Sequence, residues 1–219
     1  MSKIIEQAIA QGRKNLAENE VKEVLKEGGI STTDFQYFHD ISEIDLSKLR
    51  FPVVLKICSP DILHKTDVGG VILNIASKEE LAKHVDTFKK KFSGKGMLVE
   101  PMYKGAVEVI VGLINDASFG LTLMFGVGGI YTEVYKDVTF RIVPIDRADA
   151  EEMLSEIKAA PIIEGTRKIK VDREKLLDLL LKTSEFAYKN AKYIDQMDLN
   201  PVIVSEDEVR AVDAKLILR

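Results

Sequence analysis

Lys56-Ile57-Cys58-Ser59-Pro60-Asp61-Ile62-Leu63-His64-Lys65-Thr66-Asp67-Val68-Gly69-Gly70 is the stretch on which the fold turns. It continues the apolar run Phe51-Pro52-Val53-Val54-Leu55, a strand that delivers Lys56, and it ends on a glycine pair that opens a second strand, Gly70–Ile75. The polar loop between the strands holds His64, Lys65, Thr66 and Asp67. Cations and backbone N–H groups on such a loop suit a polyphosphate. A histidine among them adds the possibility of covalent phosphate transfer.

The chain has 219 residues, 46% of them hydrophobic, enough for one large domain or two lobes with real cores. Net charge is −4, basic and acidic residues are interleaved, and there is no tryptophan, so nucleic acid is not expected as a partner. Met1-Ser2-Lys3-Ile4-Ile5-Glu6-Gln7 does not read as a signal peptide, and no apolar run reaches the ~18–20 residues of a membrane span. Cys58 is the single cysteine, which excludes an internal disulfide and a cysteine zinc site. The expected location is the cytoplasm.

Outward from the loop, residues 2–27 read as a helix stopped by Gly28-Gly29, and Ser31–Phe35 opens a short strand or turn. Ser77 and Glu80 form a capping box opening a helix over 78–92. Strands are expected over 97–102, 106–114, 121–125 and 134–145, helices over 147–159 and 172–190, and a terminal strand pair over 198–204 and 208–218. The organisation is an N-terminal helix (1–20), a smaller α/β lobe with the phosphate loop (21–95) and a larger α+β lobe (96–219). Ser93-Gly94-Lys95-Gly96 reads as the flexible joint.

The terminal pair yields a register. If Glu206-Asp207 is a two-residue turn, Ser205 pairs with Glu208, Asn200 falls opposite Asp213, and Asp198 opposite Lys215. Strict alternation puts Asp198, Asn200, Asp213 and Lys215 on one face, with Ile203, Val212, Leu216 and Leu218 on the apolar other. Two carboxylates and an amide oxygen suit Mg²⁺ bridging nucleotide phosphates. The bland alternative is a solvated sheet face.

In the loop, one of Lys65 and Asp67 would stabilise a phosphoryl group on His64 while the other orients the imidazole. His84 reads as solvated helix surface and His39 as part of a linker. Lys56 needs an anion, either a phosphate or a neighbouring carboxylate. Pro101, in Glu100-Pro101-Met102, interrupts a strand and leaves backbone groups for a flat polar ligand such as adenine, unless it is a bulge. Gly126-Val127-Gly128-Gly129 joins two strands, so it is a tight turn and not a phosphate loop. Glu108 and Glu133 are candidate second acidic groups near the phosphates; Arg141 awaits a phosphate or a carboxylate.

Taken in order, these motifs resemble the β subunit of the ADP-forming acyl-CoA synthetases (acetate–CoA ligase, ADP-forming), relatives of the succinyl-CoA synthetase β chain with the ATP-grasp fold. The resemblance rests on Pro52–Lys56, Ser59–Val71, Val99–Met102, Phe125–Glu133, Asp195–Val202 and Ala211–Lys215, and covers nearly the whole chain. It departs at Asp198, where the succinyl-CoA relatives usually carry glutamate. It implies an α+β fold of two lobes, with mixed and antiparallel sheets flanked by helices, closing over ATP or ADP. By residue match, Lys56 and Lys65 would hold phosphate. Val99, Glu100 and Met102 would receive adenine, with Glu108 and Arg141 also on the nucleotide. Asn200 and Asp213, with Asp198, would bind Mg²⁺. The implied reaction is acyl-CoA, ADP and phosphate to carboxylic acid, CoA and ATP, with a CoA-binding α subunit in an α2β2 heterotetramer. Phosphate would pass through a phosphohistidine on the α subunit and then His64, assisted by Asp67. The chain itself lacks a glycine-rich strand–turn–helix for CoA. An ATP-grasp carboxylate ligase without a histidine relay, and a nucleotide-sensing subunit, are the competing readings.

Overall fold

The computed structural model describes residues 2–128, 136–165 and 170–219. They fall into two compact units. The smaller comprises Leu16–Glu20 and Thr33–Tyr103, the larger Met1–Asn15, Val21–Thr32 and Lys104–Arg219. The division thus lies after Tyr103, beyond the glycine joint read at 93–96. The strand that follows those glycines supplies Met97 and Val99 to the smaller unit's core, which fixes its membership.

The single helix expected over 2–27 is two helices, α1 (Lys3–Ala10) and α2 (Glu18–Glu27). Between them Gly12 adopts φ +68°, a left-handed conformation that ends α1.

The smaller unit is a four-stranded antiparallel sheet of β1 (Gln36–Phe38), β2 (Val53–Cys58), β3 (Val71–Ile75) and β4 (Gly96–Pro101), in the order β1-β4-β2-β3. Helix α3 (Lys78–Lys91) covers one face, where Leu81, Val85 and Phe88 pack on Val53, Leu55, Ile57, Met97 and Val99. Ser77 caps α3 by accepting the Glu80 amide at 3.2 Å, while the Glu80 carboxylate accepts from Ala76, one residue before the expected reciprocal partner. Every residue of β2 is buried, so Val54, Lys56 and Cys58 on its second face are buried too. Ala17, Leu98 and Phe35 cluster with Cys58 there. The thiol is pushed up to about 11 by burial and donates to Asn19 Oδ1 at 3.1 Å, so it is no nucleophile at neutral pH.

The larger unit has β5 (Val107–Asp116), β6 (Gly120–Val127), β7 (Val138–Ile142), β8 (Ile194–Val204), β9 (Val209–Ala211) and β10 (Ala214–Leu218), ordered β10-β8-β5-β6-β7 with β9 also on β8. Helices α4 (Arg147–Glu156) and α6 (Arg173–Lys189) pack on this sheet; a short α5 (Ala160–Ile163) lies between them. The helix expected over 147–159 stops at Glu156 and restarts as α5, with Pro161 in its first turn where the missing N–H costs nothing. Among the described residues no helix is long and apolar enough to cross a membrane.

Candidate functional site

In the smaller unit, the loop from β2 to β3 is closed by its own backbone. Gly70 N–H donates to Lys65 O at 2.7 Å, Gly69 N–H to Thr66 O at 2.9 Å, and Ile57 N–H to Gly70 O at 2.8 Å. A Cβ on Gly70 would come within 2.4 Å of Ile57 Cγ2 and 3.0 Å of Lys65 O, and Gly69 takes φ +59°. The glycine pair is therefore a steric requirement of the loop. His64 and Asp67 are exposed on it. His39 has the Tyr37 hydroxyl at 3.2 Å and His84 has Glu80 at 3.8 Å. Among the described residues the His64 imidazole has no such neighbour.

Lys56 and Lys65 find carboxylates. Lys56 Nζ is 2.9 Å from Glu18 Oε1 and 2.7 Å from Glu100 Oε1; Lys65 Nζ is 3.0 Å from Glu18 Oε2. Glu100 Oε2 accepts from the Thr33 hydroxyl. Lys65 is turned to Glu18, and neither it nor Asp67 is placed on the imidazole. Glu18 went unread because it begins a charged helix that looks like solvated surface; its partners lie far along the chain.

The expected adenine segment is split by the pleat. Val99, Pro101 and Tyr103 line a cavity of about 460 Å³, faced by Phe35, Leu49 and Arg50. The Glu100 side chain points the other way, into the charge cluster. The Met102 amide donates to Pro52 O at 3.0 Å, so it serves the sheet and offers no donor to a ligand, contrary to expectation. Pro101 costs this ladder nothing, because its nitrogen falls on the alternate edge of β4.

In the larger unit the register follows the two-residue turn. Ser205 N–H donates to Glu208 O at 2.9 Å, Val202 pairs with Ala211, and Asp198 with Lys215; Asn200 N–H donates to Asp213 O at 3.2 Å. Strict alternation does not follow. The buried residues are Met197 and Leu199 before Asn200, but Val202, Ile203 and Val204 in a row after it, and on the partner strands Ala211 before Asp213 but Ala214 after it. The cause is a bulge against β5, where Val109 pairs with Val202 but Val111 with Leu199. Ile203 accordingly pairs with Glu108 and shares its face, correcting the expectation that it lies opposite the acidic residues.

Since β5 keeps unbroken register with β6, Glu108 and Gly112 share a face, and Gly112 pairs with Asp198. Glu108, Asp198 and Lys215 are thereby brought onto one face of the sheet, with Asn200 and Asp213 at the bulge. A groove of about 430 Å³ adjoins them, lined by Ile114, Met124 and Phe140 as well as Asp198 and Lys215. Among the described residues no three His, Cys, Asp or Glu side chains converge as a metal cage. The donor set is two carboxylates and one amide, which fits Mg²⁺ held partly by substrate phosphates and water.

Arg141 does not join this face's chemistry. It lies 2.6 Å from Glu156, 3.0 Å from Glu152 and 3.7 Å from Asp149, all on α4. The Glu156 contact above all raises the guanidinium's pKa and holds Glu156 down at about 2. The carboxylate alternative is the one realised. Gly129 and Glu133 lie outside the described residues.

The ATP-grasp domain model matches residues 7–218. The β subunit of acetate–CoA ligase [ADP-forming] II from Pyrococcus furiosus is 43% identical over 229 residues, spanning 99% of this chain and 97% of that relative. Among solved structures, the Candidatus Korarchaeum cryptofilum dinucleotide-forming acetyl-coenzyme A synthetase 1 in complex with coenzyme A, Ca-AMPCP and HgCl⁺ superposes with a TM-score of 0.91. It is 38% identical and covers 99% of this chain and 98% of that one. The same protein with coenzyme A and Mg-AMPPCP, its phosphohistidine segment pointing towards the nucleotide binding site, gives 0.86 at 38% identity and the same coverage. The chain belongs to the ATP-grasp family and, within it, to the β subunits of the ADP-forming acetate–CoA ligases.

Proposed function

We propose that the chain is the nucleotide-binding, phosphoryl-transferring β subunit of an ADP-forming acyl-CoA synthetase. With a CoA-binding α subunit, in an α2β2 assembly in the cytoplasm, it interconverts acyl-CoA, ADP and phosphate with carboxylic acid, CoA and ATP. The observation that carries this reading is the match to a β subunit along the full length of both chains. The exposed His64 on a loop closed by Gly70 supports the relay.

In that relay an imidazole nitrogen of His64 attacks the phosphorus of the α-subunit phosphohistidine. A new N–P bond forms, and the old one breaks with its electron pair returning to the donor imidazole. A terminal phosphate oxygen of ADP then attacks the phosphorus. The O–P bond of ATP forms, and the His64 N–P bond breaks with its electrons left on the ring nitrogen. Imidazole suits both steps because it is nucleophilic near neutral pH and its phosphoramidate is high in energy. Lys56 would exchange a carboxylate for a phosphate oxygen when nucleotide enters. The 99–103 segment would border adenine, and Glu108 the sugar-phosphate region. Asp198, Asn200 and Asp213 would hold Mg²⁺, which when bound offsets charge on the phosphate oxygens.

The test is γ-labelled ATP and Mg²⁺ with this chain and its CoA-binding partner, native against His64→Gln. Acid-labile label on this chain, lost in the variant while nucleotide still binds, is the expected result. Label on the partner alone, at undiminished rate in the variant, refutes the relay.

A further inference from the structure

Glu18 is 4% exposed and stands between two lysines, with Lys56 on one carboxylate oxygen and Lys65 on the other, at 2.9 and 3.0 Å. Lys65 is the residue after His64. Its carbonyl closes the 65–70 turn by accepting the Gly70 amide, so one residue both starts that turn and carries the buried ion pair. On the other side Lys56 sits in the middle of a fully buried strand and is also held by Glu100 at 2.7 Å. The chain of contacts therefore runs from the rigid sheet, through Glu18, to the root of the histidine loop. None of its members touches the exposed imidazole, so a contribution to chemistry has to pass through geometry.

We propose that Glu18 is a positioning residue for phosphoryl transfer at His64: it ties Lys65 to Lys56 on β2 and so restricts where the imidazole can reach. The proposal rests on the relay reading of His64. A tethered nucleophile loses rate when its root explores more volume, because fewer arrangements place it in line with phosphorus. The charges add a second signature. Neutralising Glu18 leaves both lysines charged with one carboxylate fewer, which makes the cluster more positive and more attractive to nucleotide phosphates. A tie therefore predicts slower transfer without weaker nucleotide binding, a split that general damage to the fold would not produce.

The experiment uses the complex with the CoA-binding partner. It compares wild type with Glu18→Gln, Lys65→Gln, the double variant and His64→Gln, reading the rate of acid-labile labelling of this chain from γ-labelled ATP and the Kd for AMPPCP. Each of the first two should slow labelling by about tenfold or more. The Kd in Glu18→Gln should be unchanged or lower, and the double variant should be no slower than the slower single one. Additive losses, or a Kd that weakens in step with the rate, overturn the proposal. If Glu18→Gln does not fold, Glu18→Asp decides, since it keeps the charge and shortens the reach to Lys65: slowed labelling at unchanged Kd upholds the tie, and unaltered labelling removes it. Normal labelling of this chain in His64→Gln ends the relay reading itself, and the tie with it.

Discussion

Replacing Lys56 by methionine keeps most of the apolar stem, one atom short of the nitrogen, and removes the ammonium from between Glu18 and Glu100. Both carboxylates are buried, 4% and 2% exposed, and they stand 2.9 and 2.7 Å from the nitrogen that is lost. Removing one member of a buried ion pair typically costs about 3–5 kcal/mol, because the charge left behind has neither water nor its counter-ion. Lys65 still neutralises Glu18, and Thr33 still donates to Glu100, which favours the lower end, about 3 kcal/mol. For a chain of this size that corresponds to a fall in Tm of about 6–12 °C. Urea titration of the nucleotide-free chain measures it directly. Lys56→Met combined with Glu100→Gln should recover at least half the loss, since the neutral amide keeps the shape without the charge. Nucleotide affinity should also fall, by about tenfold or more, as a charged hydrogen bond contributes about 1.5–3 kcal/mol. A stability loss under about 1 kcal/mol, or a double variant weaker than the single one, refutes the account of this cluster.

Arg141→Met tests the α4 network through pH. Glu156 is held at about 2, below its ordinary 4.5, chiefly by Arg141 and then by the Thr139 hydroxyl. A depressed carboxylate stabilises the fold above its unfolded pKa, and that stabilisation fades as pH falls from about 4.5 towards 2. The variant should therefore trail wild type at pH 7 by no more than about 1 kcal/mol, given the exposure of these carboxylates, and the gap should narrow below pH 4.5 and close only as pH falls past about 2. A deficit in the urea midpoint that persists in acid assigns the effect to packing instead. For the metal, Asp213→Asn should weaken ADP binding in the presence of Mg²⁺ far more than in its absence. Asp198→Asn should do less, because Asp198 lies directly across from Lys215, whose charge already offsets part of its own. Calorimetric titration with and without Mg²⁺ checks both; an equal loss with and without metal in Asp213→Asn removes its ligand role.

What could be read from the sequence was what short-range geometry decides. A two-residue turn at Glu206-Asp207 sets which residues face each other for ten positions along each strand, so Asn200 opposite Asp213 followed from counting. The bulge at Asn200-Pro201 did not: Pro201 in an interior strand is a local mark of irregularity, but which pairs slip is decided between β8 and β5, strands separated by the helices of the larger unit. The same distinction explains the helix that became two. Periodic apolar residues suggested continuity, and only the conformation at Gly12 shows the break. It also explains the lysines. Lys56 was recognisable as a cation that needed an anion, but its carboxylates come from the start of α2 and from the neighbouring strand β4.

At the candidate site this separation has a chemical meaning. The proposed reacting group is written in one contiguous motif, with the glycines that fold its loop only a few residues from His64. The forces on that motif come from elsewhere: Glu18 through Lys65, and Glu100 through Lys56. A loop that carries phosphate has to be exposed at its tip and restrained at its root. Exposure needs only polar residues and glycine, which are visible locally. Restraint in a buried setting needs opposite charges brought together from distant parts of the chain, since a lone buried charge would be too costly to keep. The histidine motif therefore identifies where the chemistry would occur, while the buried glutamates, unremarkable in sequence, determine how firmly it is held.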